Sequence, residues 1–290
     1  VGNPVPRAGR TAAQSSGFPV LLCHTPAMRK RFRIFLAIVI LAMVAGDVWR
    51  VQRPREPVYG GKRLSAWLYD ASALNRRFSQ MACDRAQIAI RQIGTNALPE
   101  LVQIATAKDS AFNKSVLNRP FGEASLNLLQ RLHMRDAKDR RGMALAGFAA
   151  LGATAVPALR DLLKQDDAEV QRLAFICLET IGPPAQEAVP DVIAFISHTN
   201  SFLSFSAKEA LGKICSQPQL SVPALTANLA THDPSVRATL MALGKFGADA
   251  KEAIPAILPL LSDNDRIIRI DATNTLKTID PEAATKAGVK

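Results

Sequence analysis

The sequence predicts an all-α protein, an α-solenoid (superhelix) in which short helical hairpins stack one after another. Three observations predict it. The stretch Ser235 to Leu261, SVRATLMALGKFGADAKEAIPAILPLL, reads as two short helices joined by a turn, and it recurs at residues 86–105, 144–163, 174–196 and, more weakly, 207–229. Each copy carries a proline where its second helix begins, at Pro99, Pro157, Pro190, Pro223 and Pro255, and the last four stand 33, 33 and 32 residues apart. A two-helix unit at a fixed period in this range is the sequence form of a solenoid. Finally, 48% of residues are apolar but only 6% aromatic, which suits closely packed Ala, Leu and Ile helices.

In chain order, residues 1–27 lack periodicity and are rich in Pro, Gly, Ser and Thr. They read as a disordered extension, or as sequence upstream of a start at Met28. Residues 28–49 begin Met28-Arg29-Lys30-Arg31-Phe32-Arg33 and continue into the apolar run Ile34 to Gly46. A basic segment before an apolar run of this length has the form of a signal peptide or membrane anchor. Retention as an anchor is favoured over cleavage, because Val44-Ala45-Gly46 is a weak cleavage site. With the heavier basic cluster on the cytoplasmic side, the repeats lie outside the cytoplasm; cleavage would instead leave them periplasmic or secreted. Residues 50–63 read as a Pro/Arg linker, and Tyr59-Gly60-Gly61-Lys62 within it lacks the strand and the Gly-Lys-Ser/Thr of a phosphate loop. Residues 64–290 are the repeat domain. Ser65 is expected to cap a helix from Ala66, with Trp67 and Leu68 folding over the open end of the first repeat.

Aligning the copies on the residue that ends each first helix shows the packing. Four before it stand Ile90, Phe148, Leu178, Leu211, Leu243 and Leu276; one before it, Ile93, Leu151, Ile181, Ile214, Phe246 and Ile279. These are core ladders. Five before it come Ala89, Gly147, Cys177, Ala210, Ala242 and Thr275, all small enough to let neighbouring helices approach. The end position is Gly94, Gly152, Gly182, Cys215, Gly247 and Asp280. Glycine suits a helix end that turns through positive φ, so Cys215 implies a different turn in the fourth unit. Asp280 makes the sixth unit a half-repeat that caps the array, and the stretch Asp265 to Lys290 is expected to become polar and fray.

This pattern, over roughly residues 80 to 283, resembles HEAT repeats, in particular the short HEAT-like repeats of phycobilisome bilin lyases. The resemblance implies the fold and leaves several activities open, since such repeats include scaffolds, lyases, hydroxylases and DNA glycosylases.

Between Pro99 and Pro157 the interval lengthens to 58 residues, and Arg131, Arg135, Asp136, Lys138, Asp139, Arg140 and Arg141 cluster there. This charge run reads as a solvated loop, or alternatively as a docking loop for an acidic partner. The net charge of +11 belongs mostly to the N-terminal arm: nine of 36 basic and one of 25 acidic residues fall in 1–55, leaving 27 against 24 in the remainder. No basic stripe with interleaved aromatics marks the repeats, so a nucleic-acid partner is not expected.

No catalytic, metal or cofactor constellation stands out. His24, His133, His198 and His232 are isolated, and no His-Glu pair of the kind used by HEAT-like metal hydroxylases occurs. Cys23, Cys83, Cys177 and Cys215 show no CxxC spacing, and Cys177 and Cys215 are expected to be buried thiols. The sequence therefore points to a non-enzymatic scaffold that binds a protein or peptide along its concave surface. The alternative is a lyase-like enzyme acting on a prosthetic group, which a deep pocket lined by an ionisable pair would mark. Candidate contact residues on the second helices are Gln103, Thr106, Arg160, Asp161, Lys164, Ser197 and Thr226.

Overall fold

A computed structural model describes residues 56–72, 74, 79–109, 136–229 and 235–289. The chain divides after Arg55, and all described residues belong to the unit Glu56–Lys290. The expectations for 1–27, for the segment 28–49 and for the first part of the linker lie outside the described residues, as does most of the insertion.

The far end of the expected linker is ordered. Val58–Tyr59 (β1) and Lys62–Arg63 (β2) form an antiparallel hairpin. Gly60 and Gly61 sit at φ 57° and 75°, and a two-residue turn with both φ values positive is one that glycine makes without strain. The hairpin runs into α1 (Leu64–Ala71), which begins before Ser65. Ser65 is therefore inside the first turn, and its N–H is capped by the Glu56 carboxylate. Lys62 pairs with Asp70 and lies 4.2 Å from the Trp67 ring centroid, while the Trp67 indole donates to Tyr59 O at 3.1 Å. Leu64 and Leu68 are fully buried, so α1 packs onto the first repeats of the array.

The repeats follow as pairs. The first comprises α2 (Gln80–Ile93) and α3 (Leu98–Thr106); the second, α4 (Ala137–Leu151) and α5 (Val156–Leu163). The third comprises α6 (Ala168–Ile181) and α7 (Val189–Ile193), and the fourth α8 (Ser201–Ile214) and α9 (Pro218–Leu229). The fifth comprises α10 (Val236–Phe246) and α11 (Ile254–Ile257), and α12 (Arg266–Ile279) with α13 (Pro281–Lys286) ends the chain. The array is an all-α solenoid. Its core is the shared ladder: Ile90, Phe148, Leu178, Leu211, Leu243 and Leu276 are each 0% exposed.

The small position works as its chemistry requires. A Cβ on Gly147 would lie 2.4 Å from Leu101 Cδ2 and 2.7 Å from Leu68 Cδ2, so the side chains of α1 and α3 occupy the space that glycine leaves. The turns follow the glycines. Gly94, Gly152, Gly182 and Gly247 have φ of 54–70° with ψ from −131° to −141°, a region that strains any residue with a Cβ. Each turn leads through a short 3-10 segment to a second helix with proline in its first turn, where a missing N–H costs little. The fourth unit departs from this. Cys215 takes the left-handed conformation (φ 44°, ψ 43°), the 3-10 segment is absent, and α9 starts at Pro218, so Pro223 lies inside it.

Two further expectations are corrected. Part of the charge run is helix: Asp136 Oδ1 accepts from Asp139 N at 2.6 Å and starts α4, which carries Lys138, Asp139, Arg140 and Arg141. Arg140 then pairs with Asp109 at 2.8 Å and donates to Ala107 O at 3.3 Å, tying the second unit to the strand of chain that leaves α3. The polar tail is also helical rather than frayed. Asp265 and Asp280 accept N–H groups at the starts of α12 and α13, and Ala272, Thr275, Leu276 and Ile279 bury the face toward α10.

Among the described residues one stretch, Ala137–Leu163, is long and apolar enough in composition to cross a membrane. It is α4 and α5 of one repeat, interrupted at Gly152, with half of its apolar window buried.

The register yields a test. Leu243→Asp places an unpaired charge in the ladder and is expected to cost several kcal/mol. Asp249→Ala, on an exposed turn, is expected to be nearly silent. Thermal melts of residues 56–290 separate the two, and equal effects would refute the register.

A second test concerns the Asp167 cap of α6. Burial pushes this carboxyl up, but the hydrogen bond from Lys108 and those from the N–H groups of Val170 and Glu169 outweigh it, so its pKa lies below the ordinary value. A depressed carboxyl contributes stability above its unfolded pKa of about 3.9 and loses it as pH falls through the folded value. Asp167→Ala is expected to cost about 1 kcal/mol at neutral pH. In denaturant titrations that difference should close under acid conditions; a difference that persists unchanged at about pH 2 would refute the linkage.

Candidate interaction surfaces

The second helices place the seven candidate residues on successive units. Gln103 and Thr106 lie on α3, Arg160 and Asp161 on α5 with Lys164 just past its end, Ser197 after α7 and Thr226 on α9. Gln103, Asp161, Lys164 and Ser197 are exposed, whereas Thr106, Arg160 and Thr226 are half-buried. The equivalent positions Gln103, Asp161, Ala194, Ala227 and Pro259 are all exposed, Ala194 and Pro259 standing just past the ends of α7 and α11.

Several of these groups are already engaged. Arg160 forms an ion pair with Asp191 of the next unit, and the hydrogen bond and charge of Asp191 hold the guanidinium pKa above its ordinary value. Lys164 Nζ reaches Asp161 Oδ1 at 2.9 Å within its own helix turn. The Thr106 and Thr226 hydroxyls donate to Val102 O (2.9 Å) and Val222 O (2.8 Å), one turn back. Ser197 Oγ accepts from Asn228 Nδ2 at 3.5 Å, and Thr239 Oγ1 donates to Asn228 Oδ1 at 2.9 Å. The hydroxyl of Ser197 thus belongs to a polar seam between the third, fourth and fifth units.

The thiols divide differently from expectation. Cys177 is fully buried, and desolvation pushes its pKa well up. Cys83 is buried as well. Cys215 is exposed, contrary to its expected burial, because it occupies the turn itself rather than a helix face. Its Sγ donates to Lys245 O at 3.1 Å. Partial burial, then the charge of Asp249, raises its pKa while Lys245 lowers it, so the thiol is not activated. His198 stacks on Phe195 at 5.2 Å, and its Nδ1 accepts from Asn200 N. His24, His133 and His232 lie outside the described residues. Among the described residues no three His, Cys, Asp or Glu side chains cluster to hold a metal ion.

The opposite face carries what the sequence reading passed over. Phe202 and Phe205 on α8, Met241 on α10, and Ile267 and Ile270 on α12 are 40–55% exposed. Counted back from the end residue, Phe202 and Ile267 hold one outer position, and Phe205 and Ile270 hold the next. The same alignment that found the core ladders could have found this stripe.

Residues 156–244 match the family model for HEAT repeats. That stretch, from α5 into α10, is similar to HEAT repeats. Two similar solved structures are engineered proteins from the Northeast Structural Genomics Consortium. One is 19% identical and aligns over 77% of this chain and 97% of its own, with a TM-score of 0.39. The other is 20% identical over 79% and 72%, also at 0.39. No curated protein matches.

The Arg160–Asp191 pair links neighbouring second helices, yet both side chains keep solvent contact, at 37% and 23% exposure. Asp191→Ala is therefore expected to cost under about 1 kcal/mol and to cost less in high salt. Melts at low salt and at about 1 M NaCl check this; a large, salt-independent loss would show that the pair is a core element instead.

Proposed function

We propose that the protein is a non-enzymatic scaffold that binds a protein or peptide along its row of second helices, the concave face of the solenoid. The observation that carries this reading is the register: Gln103, Asp161, Ala194, Ala227 and Pro259 repeat one exposed position through five units. A stack of similar units offers an extended groove that needs no catalytic group. The exposed residues there are mostly short or neutral, which favours mixed apolar and polar contact over electrostatic capture. Gln103, Asp161, Lys164 and Ser197 are the polar contacts of this surface, and Thr106, Arg160 and Thr226 shape it.

The test is site-specific photo-cross-linking in the native host. A benzophenone side chain at Ala194 or Ala227 of the full chain is expected to trap one discrete partner, and the same group at Asp84, on a first helix, is expected not to. Equal labelling from all three positions, or none, would overturn the assignment.

The reading includes a location. Residues 28–49 anchor the protein, and the repeats lie outside the cytoplasm. Support comes from the sequence alone, in the basic cluster Arg29, Lys30, Arg31 and Arg33 ahead of the apolar run. A C-terminally tagged chain is expected to pellet with membranes, resist alkaline carbonate and lose its tag to protease added to spheroplasts. A tag protected until lysis would refute export, and a soluble periplasmic form beginning near Asp47 would show cleavage.

A further inference from the structure

We propose that the groove between α8 and α10, on the face opposite the second-helix row, docks an acidic amphipathic helix from a partner protein. The two helices approach closely because their contact is made of small residues. A Cβ on Gly212 would lie 3.0 Å from Ala242 Cα, and Ala238 and Ala242 are buried beside it. Larger side chains therefore stand as walls over a low floor. Phe205 and Met241, at 40% and 55% exposure, form those walls around a small open cleft of about 60 Å³. Phe202, at 55% exposure, extends the apolar surface by one turn of α8.

The charges around the cleft are polarised. Lys213 and Lys245 line its edge nearest the repeat turns, each one residue before its helix ends. Among the described residues neither has a carboxylate within ion-pair distance. Lys208 also lines the cleft, but it is buried, with its ammonium held by Ser235. Glu209 lies one turn back from Lys213, and Glu179 on α6 acts on it electrostatically. Arg237 is paired with Asp271 at 2.7 Å. The surface thus offers an apolar notch with two exposed lysines at one edge and the single Glu209 carboxylate, under the charge of Lys213, one turn back along α8.

That arrangement selects its occupant. A helix satisfies its own backbone groups and can present an apolar side chain to the notch and carboxylates to Lys213 and Lys245. An extended strand would need an open sheet edge, and two helices provide none. The chain's own arm, with Arg29, Lys30, Arg31 and Arg33, carries the wrong charge for that edge. An anionic membrane surface would meet Glu209 along with the lysines, and a notch suits an inserted side chain better than a flat bilayer.

The probe is a fluorescein-labelled helix of about 18 residues with Leu on one face flanked by Glu, titrated by anisotropy against the full chain in POPC nanodiscs. Saturable binding is expected, weakened about ten-fold or more by K213E/K245E and by M241E. A matched peptide with Glu replaced by Lys is expected to bind the native chain poorly and K213E/K245E well. Both sets of positions are exposed, and melting curves confirm that each variant folds; should M241E fail to fold, the charge swap alone decides. Equal binding of the two peptides, or affinity unchanged by the lysine substitutions, overturns the proposal. Displacement of the acidic peptide by vesicles containing a quarter POPG, but not by neutral POPC vesicles, also overturns it and assigns the face to lipid. All these changes lie on first helices, so they leave the second-helix row intact and its cross-linking test independent.

Discussion

The structure depends on one constraint: no single hairpin can bury its own apolar face. Each first helix offers one large side chain to the ladder that begins at Ile90 and ends at Leu276, and the residues around it come from the units before and after. Burying a Leu, Ile or Phe side chain stabilises by about 1.5–3 kcal/mol relative to exposing it, so an isolated unit forfeits much of its driving force. The two ends must then be closed by something other than a full repeat. At one end that is α1 with its hairpin; at the other it is α12 with the short α13 folded back on it.

The small positions and the turns follow from the ladder. Large residues can meet in the core only if the helices carrying them come close, and Gly147, Ala210, Gly212 and Ala242 allow this. The chain must also reverse within a few residues after each first helix, which fixes glycine at four of the ends. Where cysteine replaces glycine, the backbone adopts a different positive-φ conformation, and the second helix grows at its start to make up the residues of the missing 3-10 segment. The period survives this change because the adjustment stays within one unit.

The ladder, the glycine turns and the altered fourth turn were readable in the sequence because each rests on short-range chemistry at a repeating position. What escaped reading depended on contacts across the fold. The charge at Arg140 looks like that of a solvated loop until Asp109, 31 residues earlier, is placed against it. Arg160 looks available to a partner until Asp191 of the next unit is seen to hold it. The polar tail looks unfavourable for structure until capping by Asp265 and Asp280 and packing on α10 are taken together. The exposed Phe and Met residues on α8 and α10 passed unnoticed for a different reason: attention to core positions discards the outer ones, though the register defines both.

The hairpin at the start of the described unit has a mechanical consequence. Tension applied from the N-terminal side enters the fold at Glu56, whose carboxylate holds the N–H of Ser65. The neighbouring bonds, from Lys62 to Asp70 and from the Trp67 indole to Tyr59 O, link the same short segment to α1 at two further points. Load is therefore shared by three side-chain clasps between Glu56 and Asp70, around the buried Leu64 and Leu68. The entry segment acts as a strain relief, so the stacked helices behind it can keep their register when the segment is loaded.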